Sequence, residues 1–288
     1  MRIREGDIIK GRWSKKSYEV IKKLGEGGLG IVFLTKCMDD GQKYAVKVFD
    51  NVMNAAREYR LLKEFSHLQY IPYVYGLDDM LSGQAGFIVM EYIHGDNLQS
   101  FLKCYKLSVK NVIGISVVLL KLLGEFHKKG YAYADLKPEN IMIDKNKKLL
   151  RIVDIGGLMK FGMGVKEYTP RFDRASWGYG LRKADRAYDL FGLGILLLEL
   201  LSGRRCNPDR CELKDLLRNI KFTSPVVYNI VEMCFKGEDV NRVFDYAYSN
   251  YKKENMAAAK IDKFLNIFLT VGLVFLFLFV LIWYNTIL

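Results

Sequence analysis

Between Tyr18 and Val48 the apolar positions fall into short alternating runs, Tyr18-Glu19-Val20-Ile21, Ile31-Val32-Phe33-Leu34 and Lys43-Tyr44-Ala45-Val46-Lys47-Val48. Their period of two and their β-branched and aromatic content predict three strands joined by turns. From Ala55 to Phe65 the spacing becomes helical. Gly86 to Ile93 is a continuous apolar run with one acid, which predicts a buried strand ending at the polar turn His94-Gly95-Asp96-Asn97. Ser108 to Lys128 predicts a long amphipathic helix with Ser108 as N-cap and Gly130 as its stop. Tyr188 to Leu200 is apolar on nearly all faces, as in a fully buried helix, and is too short and too charged to span a bilayer. Phe264 to Tyr284 is different: 21 residues with no charge, interrupted only by Asn266, Thr270 and Gly272. At ~1.5 Å per residue it would reach about 31 Å, the thickness of a hydrocarbon core, so a transmembrane helix is expected there, with Trp283 and Tyr284 at the far interface.

A chain of 288 residues that is 50% hydrophobic can bury one two-lobed unit or two small domains. Lysine and arginine exceed aspartate and glutamate by 44 to 32, a formal +12. The excess is scattered and lacks the basic face with interleaved aromatics that nucleic acid would need, so nucleic acid is not an expected partner. An anionic lipid surface suits the charge better. Five cysteines at irregular spacing, with no apolar leader at the N-terminus, point to a reducing cytosolic compartment. Lys252, Lys253, Lys260 and Lys263 precede the apolar segment, which places its N-terminal side in the cytoplasm.

The stretch Tyr133-Ala134-Asp135-Leu136-Lys137-Pro138-Glu139-Asn140-Ile141 gathers a carboxylate, an amine and an amide within six positions. Pro138 forbids a helix through it, and Gly130 before and Ile141-Met142-Ile143 after mark a loop feeding a strand. Such a carboxylate can accept a hydroxyl proton while the amine steadies a transferring phosphoryl group and the amide holds a divalent metal. The run resembles the protein kinase catalytic loop H-R-D-L-K-P-E-N, departing only in its first two residues. Leu24-Gly25-Glu26-Gly27-Gly28-Leu29-Gly30 fits G-x-G-x-x-G, and because a strand follows instead of a helix, a hairpin over nucleotide phosphates fits better than a dinucleotide fingerprint. Tyr44-Ala45-Val46-Lys47 looks like the V-A-I-K strand, and Val153-Asp154-Ile155-Gly156 resembles D-F-G with isoleucine for phenylalanine.

The resemblance covers roughly residues 15 to 250 with its motifs in order. It implies an α+β fold, bilobal and protein-kinase-like, with a small β-rich N-lobe (1–93) and a larger helical C-lobe (94–250). A basic juxtamembrane linker (251–263) and one C-terminal transmembrane helix (264–284) complete the expected organisation. It further implies ATP and Mg2+, Asp135 as base, Lys137 beside the transferred group, and Lys47 on the α- and β-phosphates, paired with Glu58. Glu64 competes for that pairing, but Glu58 stands nine residues before His67, as in the family. Gly25, Gly27 and Gly30 would cover the phosphates, Val32 and Ala45 the adenine, with Met90 as gatekeeper and Glu91 and Tyr92 as hinge backbone. Asp96 or Asn97 would reach the ribose, and Asn140 and Asp154 the metal. Asp189 matches the family aspartate that hydrogen-bonds the catalytic-loop backbone. Where the family has A-P-E the chain has Arg174-Ala175-Ser176, which leaves Arg242 without its usual carboxylate unless Asp173 substitutes.

The expected function is a membrane-anchored kinase passing the γ-phosphoryl of ATP to serine or threonine of protein substrates at the cytoplasmic membrane face. The alternative is a membrane-anchored pseudokinase scaffold, against which stands the full set Lys47, Glu58, Asp135, Lys137, Asn140 and Asp154. A small-molecule kinase of the same superfamily ranks last, since those usually lack the K-P-E portion. Ala134 in place of the loop arginine, and the absence of serine and threonine between Asp154 and Thr169, imply activity without activation-loop phosphorylation.

Overall fold

The computed structural model describes residues 3–81 and 85–256. In its N-terminal part the strands are β1 (Ile8–Lys10), β2 (Ser17–Gly27), β3 (Gly30–Cys37) and β4 (Lys43–Phe49), followed by helix α1 (Val52–Glu64) and strands β5 (Val74–Asp79) and β6 (Gly86–Glu91). They form a six-stranded sheet in the order β1-β2-β3-β4-β6-β5 with antiparallel pairing throughout. The β2–β3 hairpin runs further than alternation alone predicts. Its ladder continues through Gly25↔Val32 and Glu26↔Ile31 to Gly27↔Gly30, so the glycine-rich stretch is itself strand. Gly30 is required sterically, because a Cβ there would lie 2.3 Å from the Val48 carbonyl oxygen. Asn51 caps α1 by accepting from the Met53 N–H, and the helix turns Ala55, Glu58, Leu61 and Leu62 inward against the sheet.

The C-terminal part is mainly helical: β7 (Gly95–Asn97), α2 (Leu98–Cys104), α3 (Val109–Lys128), β8 (Tyr131–Ala132), β9 (Ile141–Asp144), β10 (Leu149–Ile152), β11 (Met159–Lys160), α4 (Arg186–Ser202), α5 (Leu213–Thr223) and α6 (Pro225–Phe235). Ser108 caps α3 as its position predicts, accepting from the Asn111 N–H. The helix α4 begins at the Asp185 cap, ends at Gly203 with φ +66°, and buries every residue from Tyr188 to Leu200. Its apolar residues join those of α3, α5 and α6 in one core that reaches Ala45 and Phe49 of the sheet. A β-rich lobe and a helical lobe therefore share a continuous interior. Residues 240–256 are helical too, so the described part of the expected linker, 251–256, is helix. Tyr251 explains this by packing its ring over Gly114 of α3.

The expectation of a membrane anchor is corrected. Among the described residues no helix is long and apolar enough to cross a membrane. The apolar helix α4 has 17 residues, short of the ~20 a span needs, and carries Asp189 and Glu199. The segment 264–284 lies outside the described residues. Neither a bilayer partner nor a place at the cytoplasmic membrane face is supported by any described element, and the described residues form a bilobal unit.

Two helical glycines make opposite predictions. A Cβ on Gly194 of α4 would lie 2.5 Å from the Phe235 ring, whereas one on Gly124 of α3 would meet nothing within 4 Å. Gly194→Ala should cost about 1–3 kcal/mol through overpacking. Gly124→Ala should gain about 0.4–1 kcal/mol through reduced unfolded-state entropy and better helix propensity. Urea melts of both variants check the signs.

Candidate active site

Lys47 on β4 points its ammonium at two carboxylates from different elements. Its Nζ donates to Glu58 Oε1 at 2.9 Å and Oε2 at 2.8 Å, and to Asp154 Oδ1 at 3.0 Å. Glu58 thus takes the partnership that Glu64 could have claimed, and Glu64 instead lies near the Tyr131 hydroxyl. Lys47 is 3% exposed and Glu58 1%. Burial pulls the Lys47 ammonium toward neutrality, but the Asp154 and Glu58 carboxylates outweigh it and hold its pKa above the ordinary value. Burial lifts the Glu58 carboxyl to about 7 against the opposing pull of Lys47. Asp154 moves the other way: its burial is outweighed by Lys47 and by the Gly156 N–H, which donates to Oδ1 at 2.8 Å.

Asp135 stands on the loop after β8, where Pro138 opens a single 3₁₀ turn. Lys137 Nζ reaches both Asp135 oxygens, at 2.8 and 2.9 Å, and Asn140 Nδ2 donates to Asp135 Oδ2 at 2.8 Å and to its carbonyl at 3.0 Å. The carboxyl is nonetheless raised above its ordinary value, because burial outweighs Lys137 and Asn140. The loop is held from below by Asp189 of α4, whose two oxygens accept the Tyr133 N–H at 2.8 Å and the Ala134 N–H at 2.9 Å, while His127 Nε2 lies 2.8 Å away. Ala134 needs such support. Its φ of +57° is left-handed, a conformation that disfavours a residue with a Cβ. The buried Tyr133 hydroxyl donates to the Asp154 carbonyl at 2.6 Å, joining the Asp135 loop to the Lys47 cluster.

The glycine hairpin and the hinge fall beside these groups in the sheet. Val32 pairs with Lys47 and Ala45 with Met90, so the side chains expected around adenine share neighbouring rungs. The Glu91 N–H already donates to the Tyr73 carbonyl at 2.8 Å, so any backbone donor for a purine comes from Tyr92 onward. Asp96 is drawn to Lys145 at 2.7 Å, and Asn97 spends its side chain capping α2. The groove between α5 and α6, lined by Arg218, Lys221, Phe222 and Tyr228, contains none of these groups.

Three functional contacts escape sequence reasoning. Arg57 of α1 donates to the carbonyls of Gly156 and Leu158, and a backbone acceptor leaves no mark in a sequence. The Tyr133 hydroxyl bond is of the same kind. Arg151, 2% exposed, joins Glu91, Asp144 and the Ile71 carbonyl behind the hinge, and the only available hint was an arginine within an apolar strand. The suggestion that Asp173 could serve Arg242 is overturned. Asp173 accepts from Arg182, Ser176 and the Tyr188 hydroxyl, while Arg242 pairs with Glu238 one helical turn away.

Residues 18–246 match the protein kinase domain family. The chain is 31% identical to the serine/threonine-protein kinase YabT of Bacillus subtilis (strain 168), covering 89% of this chain and 75% of that protein. It is 27% identical to the interferon-induced, double-stranded RNA-activated protein kinase of Rattus norvegicus, over 80% of this chain and 50% of that one. It is 30% identical to the serine/threonine-protein kinase pkn2 of Myxococcus xanthus, over 65% of this chain and 24% of that one. The chain therefore spans half or less of the rat and Myxococcus proteins.

The hinge acid gives a pH prediction. Although burial opposes it, hydrogen bonds from Arg151, Lys147 and the Tyr73 N–H bring Glu91 down from 4.5 to about 2. A folded pKa below the unfolded one contributes stability that is full above 4.5 and is lost as the pH falls through 2. Glu91→Gln should lower the melting temperature at pH 7, and the gap from wild type should narrow as the pH drops from 5 to 3. A gap that widens over that range would refute the assignment.

Proposed function

The chain belongs to the protein kinase family and is a serine/threonine protein kinase, and from this premise we propose that Asp135 is its base and Lys47, Lys137, Asn140 and Asp154 its phosphate and metal groups. ATP- and Mg2+-dependent catalysis is typical of the family. The observation that carries the residue assignment is that Asp135, Lys137 and Asn140 form one hydrogen-bonded cluster, tied through the Tyr133 hydroxyl to the loop that brings Asp154 to Lys47.

In the proposed reaction Asp135 accepts the proton of a serine or threonine hydroxyl as that oxygen bonds to the γ-phosphorus of ATP. The bond from the γ-phosphorus to the bridging oxygen breaks, and ADP leaves with the electron pair. Burial, by raising the Asp135 carboxyl, makes it a better proton acceptor than a solvated aspartate. Lys137, already beside Asp135, is placed to offset charge on the transferred group. Lys47, kept charged by its two carboxylates, meets the α- and β-phosphates under the hairpin of Gly25, Gly27 and Gly30. Glu58 holds Lys47 in place.

The donor set fits magnesium, which is usually held by one or two protein oxygens together with substrate phosphates. With Nδ2 engaged by Asp135, Asn140 offers its Oδ1, and Asp154 offers a carboxylate held in its charged form. When bound, the ion would neutralise phosphate charge.

Since these groups position charge and protons, Asp135→Asn should lower turnover by on the order of 10²–10⁴ while ATP affinity by calorimetry stays within a few-fold. Loss of nucleotide binding in that variant would show that Asp135 has another role. Asp154→Asn should abolish transfer of labelled phosphate to serine or threonine of a generic basic protein; equal incorporation by both enzymes would sink the assignment.

Regulation is proposed to be independent of activation-loop phosphorylation. Ala134 offers no cation to a phosphate, its N–H is committed to Asp189, and residues 155–168 contain no serine or threonine. Phosphatase-treated protein, shown by mass spectrometry to be free of phosphate at 154–176, should keep its initial rate. A large loss restored by rephosphorylation at Tyr168 or Thr169 would contradict this.

A further inference from the structure

Arg57 precedes Glu58 on α1, yet its side chain serves a different partner. Nη1 donates to the Gly156 carbonyl at 3.2 Å and Nη2 to the Leu158 carbonyl at 2.5 Å. Both acceptors belong to the turn that follows Asp154, which is closed by the Leu158 N–H donating to the Ile155 carbonyl at 3.0 Å and is packed by the buried Ile155 and Leu158 side chains. On its other side the same turn sends the Gly156 N–H to Asp154 Oδ1. Gly156 is thus gripped twice, by the aspartate through its N–H and by the arginine through its carbonyl. A Cβ added there would lie 2.9 Å from Glu58 Oε2 and 3.0 Å from Asp154 Oδ1, which shows how closely α1 and the turn approach.

We propose that Arg57 is a positioning residue of the phosphoryl-transfer site: its planar fork fixes the Ile155–Leu158 turn against α1, so that Glu58 and Asp154 reach Lys47 together. The chemistry of the side chain suits the task. A guanidinium presents several N–H groups in one rigid plane and can bridge two carbonyls two residues apart, whereas an ammonium on a flexible stem offers a point charge. Neither carbonyl can leave the plane of the fork without losing a charge-assisted hydrogen bond, so rotation of α1 and displacement of Asp154 are linked. This inference rests on the roles proposed above for Lys47, Glu58 and Asp154.

The test uses the full chain and follows kcat and the ATP KM separately. Arg57→Lys keeps the charge and gives up the fork, and should lower kcat by about tenfold, within the range that an ångström-scale misplacement costs. The ATP KM should change by less than about threefold, since the loss falls on geometry at the reacting phosphate. Arg57→Ala should lose on the order of 10² in kcat. In a Glu58→Gln background, Arg57→Ala should cost little more, because residues acting through one cluster are not additive. A merely structural arginine would lower the melting temperature and multiply with Glu58→Gln. Full kcat in Arg57→Lys, or additive losses in the cycle, would overturn the proposal. If Arg57→Ala shows no cooperative melt, Arg57→Lys alone decides. Asp154→Asn separates the two levels: an active Asp154→Asn enzyme removes the underlying site reading, whereas an inactive one beside a fully active Arg57→Lys enzyme removes only the role of Arg57.

Discussion

An ammonium that is 3% exposed must be met by charge of the opposite sign or give up its proton, and Lys47 is met twice. Its two carboxylates come from α1 and from the segment after β10, and the lysine itself from the middle of the sheet. None of the three elements can shift alone without leaving a buried charge uncompensated, which costs far more than the pair contributes when intact. The cluster therefore acts as a geometric constraint more than as a source of stability. Glu58 shows the tension directly, because burial drives its carboxyl up to about 7 while the lysine pulls it back.

Much of this was legible because it is local. The catalytic loop declares itself through three polar groups within six positions, the glycine hairpin through glycines followed by a strand, and α4 through unbroken apolar composition. What was not legible depends on partners distant in sequence or on the backbone. Arg57 bonds two carbonyls about a hundred positions away, and Arg151 meets Glu91 sixty positions earlier. Asp173 chose Arg182 over Arg242 because Arg182, Ser176 and Tyr188 converge on it from its own neighbourhood, a choice that matching motifs could not resolve. The helical character of 251–256 was hidden for a related reason: a basic composition suggests a solvated linker, and only the fold supplies the surface of α3 on which Tyr251 packs.

The other half of the site is fixed by a different device. In the first turn of α4, Asp185 caps the helix and pairs with Arg174 at 2.6 Å, Tyr188 donates to Asp173 at 3.0 Å, and Asp189 holds the Tyr133 and Ala134 N–H groups. Three residues within five positions thus set the catalytic loop and the segment around Asp173 relative to each other, without reference to the sheet. A helix buried along thirteen consecutive residues from Tyr188 is a rigid place to mount them. It also makes the left-handed Ala134 tolerable, since the surrounding bonds over-determine that conformation.

The two devices meet at the segment after β10, where the Tyr133 hydroxyl donates to the Asp154 carbonyl and the Val153 N–H donates to the Asn140 carbonyl at 3.0 Å. The loop side, with Asp135, is referenced to α4; the Lys47 side is referenced to the sheet and to α1. A hydroxyl donor on a fully buried ring holds that junction without adding charge, whereas a carboxyl or an imidazole in the same place could change its charge near neutral pH. Burial and the nearby carboxylates of Asp135 and Asp154 push the Tyr133 phenol well above its ordinary range, which favours the protonated, donating form. Asp135 and the Lys47 cluster, for which the roles of proton acceptor and phosphate-binding group are proposed, are therefore assembled from separately anchored parts, and the hydrogen bonds that join those parts are between uncharged groups.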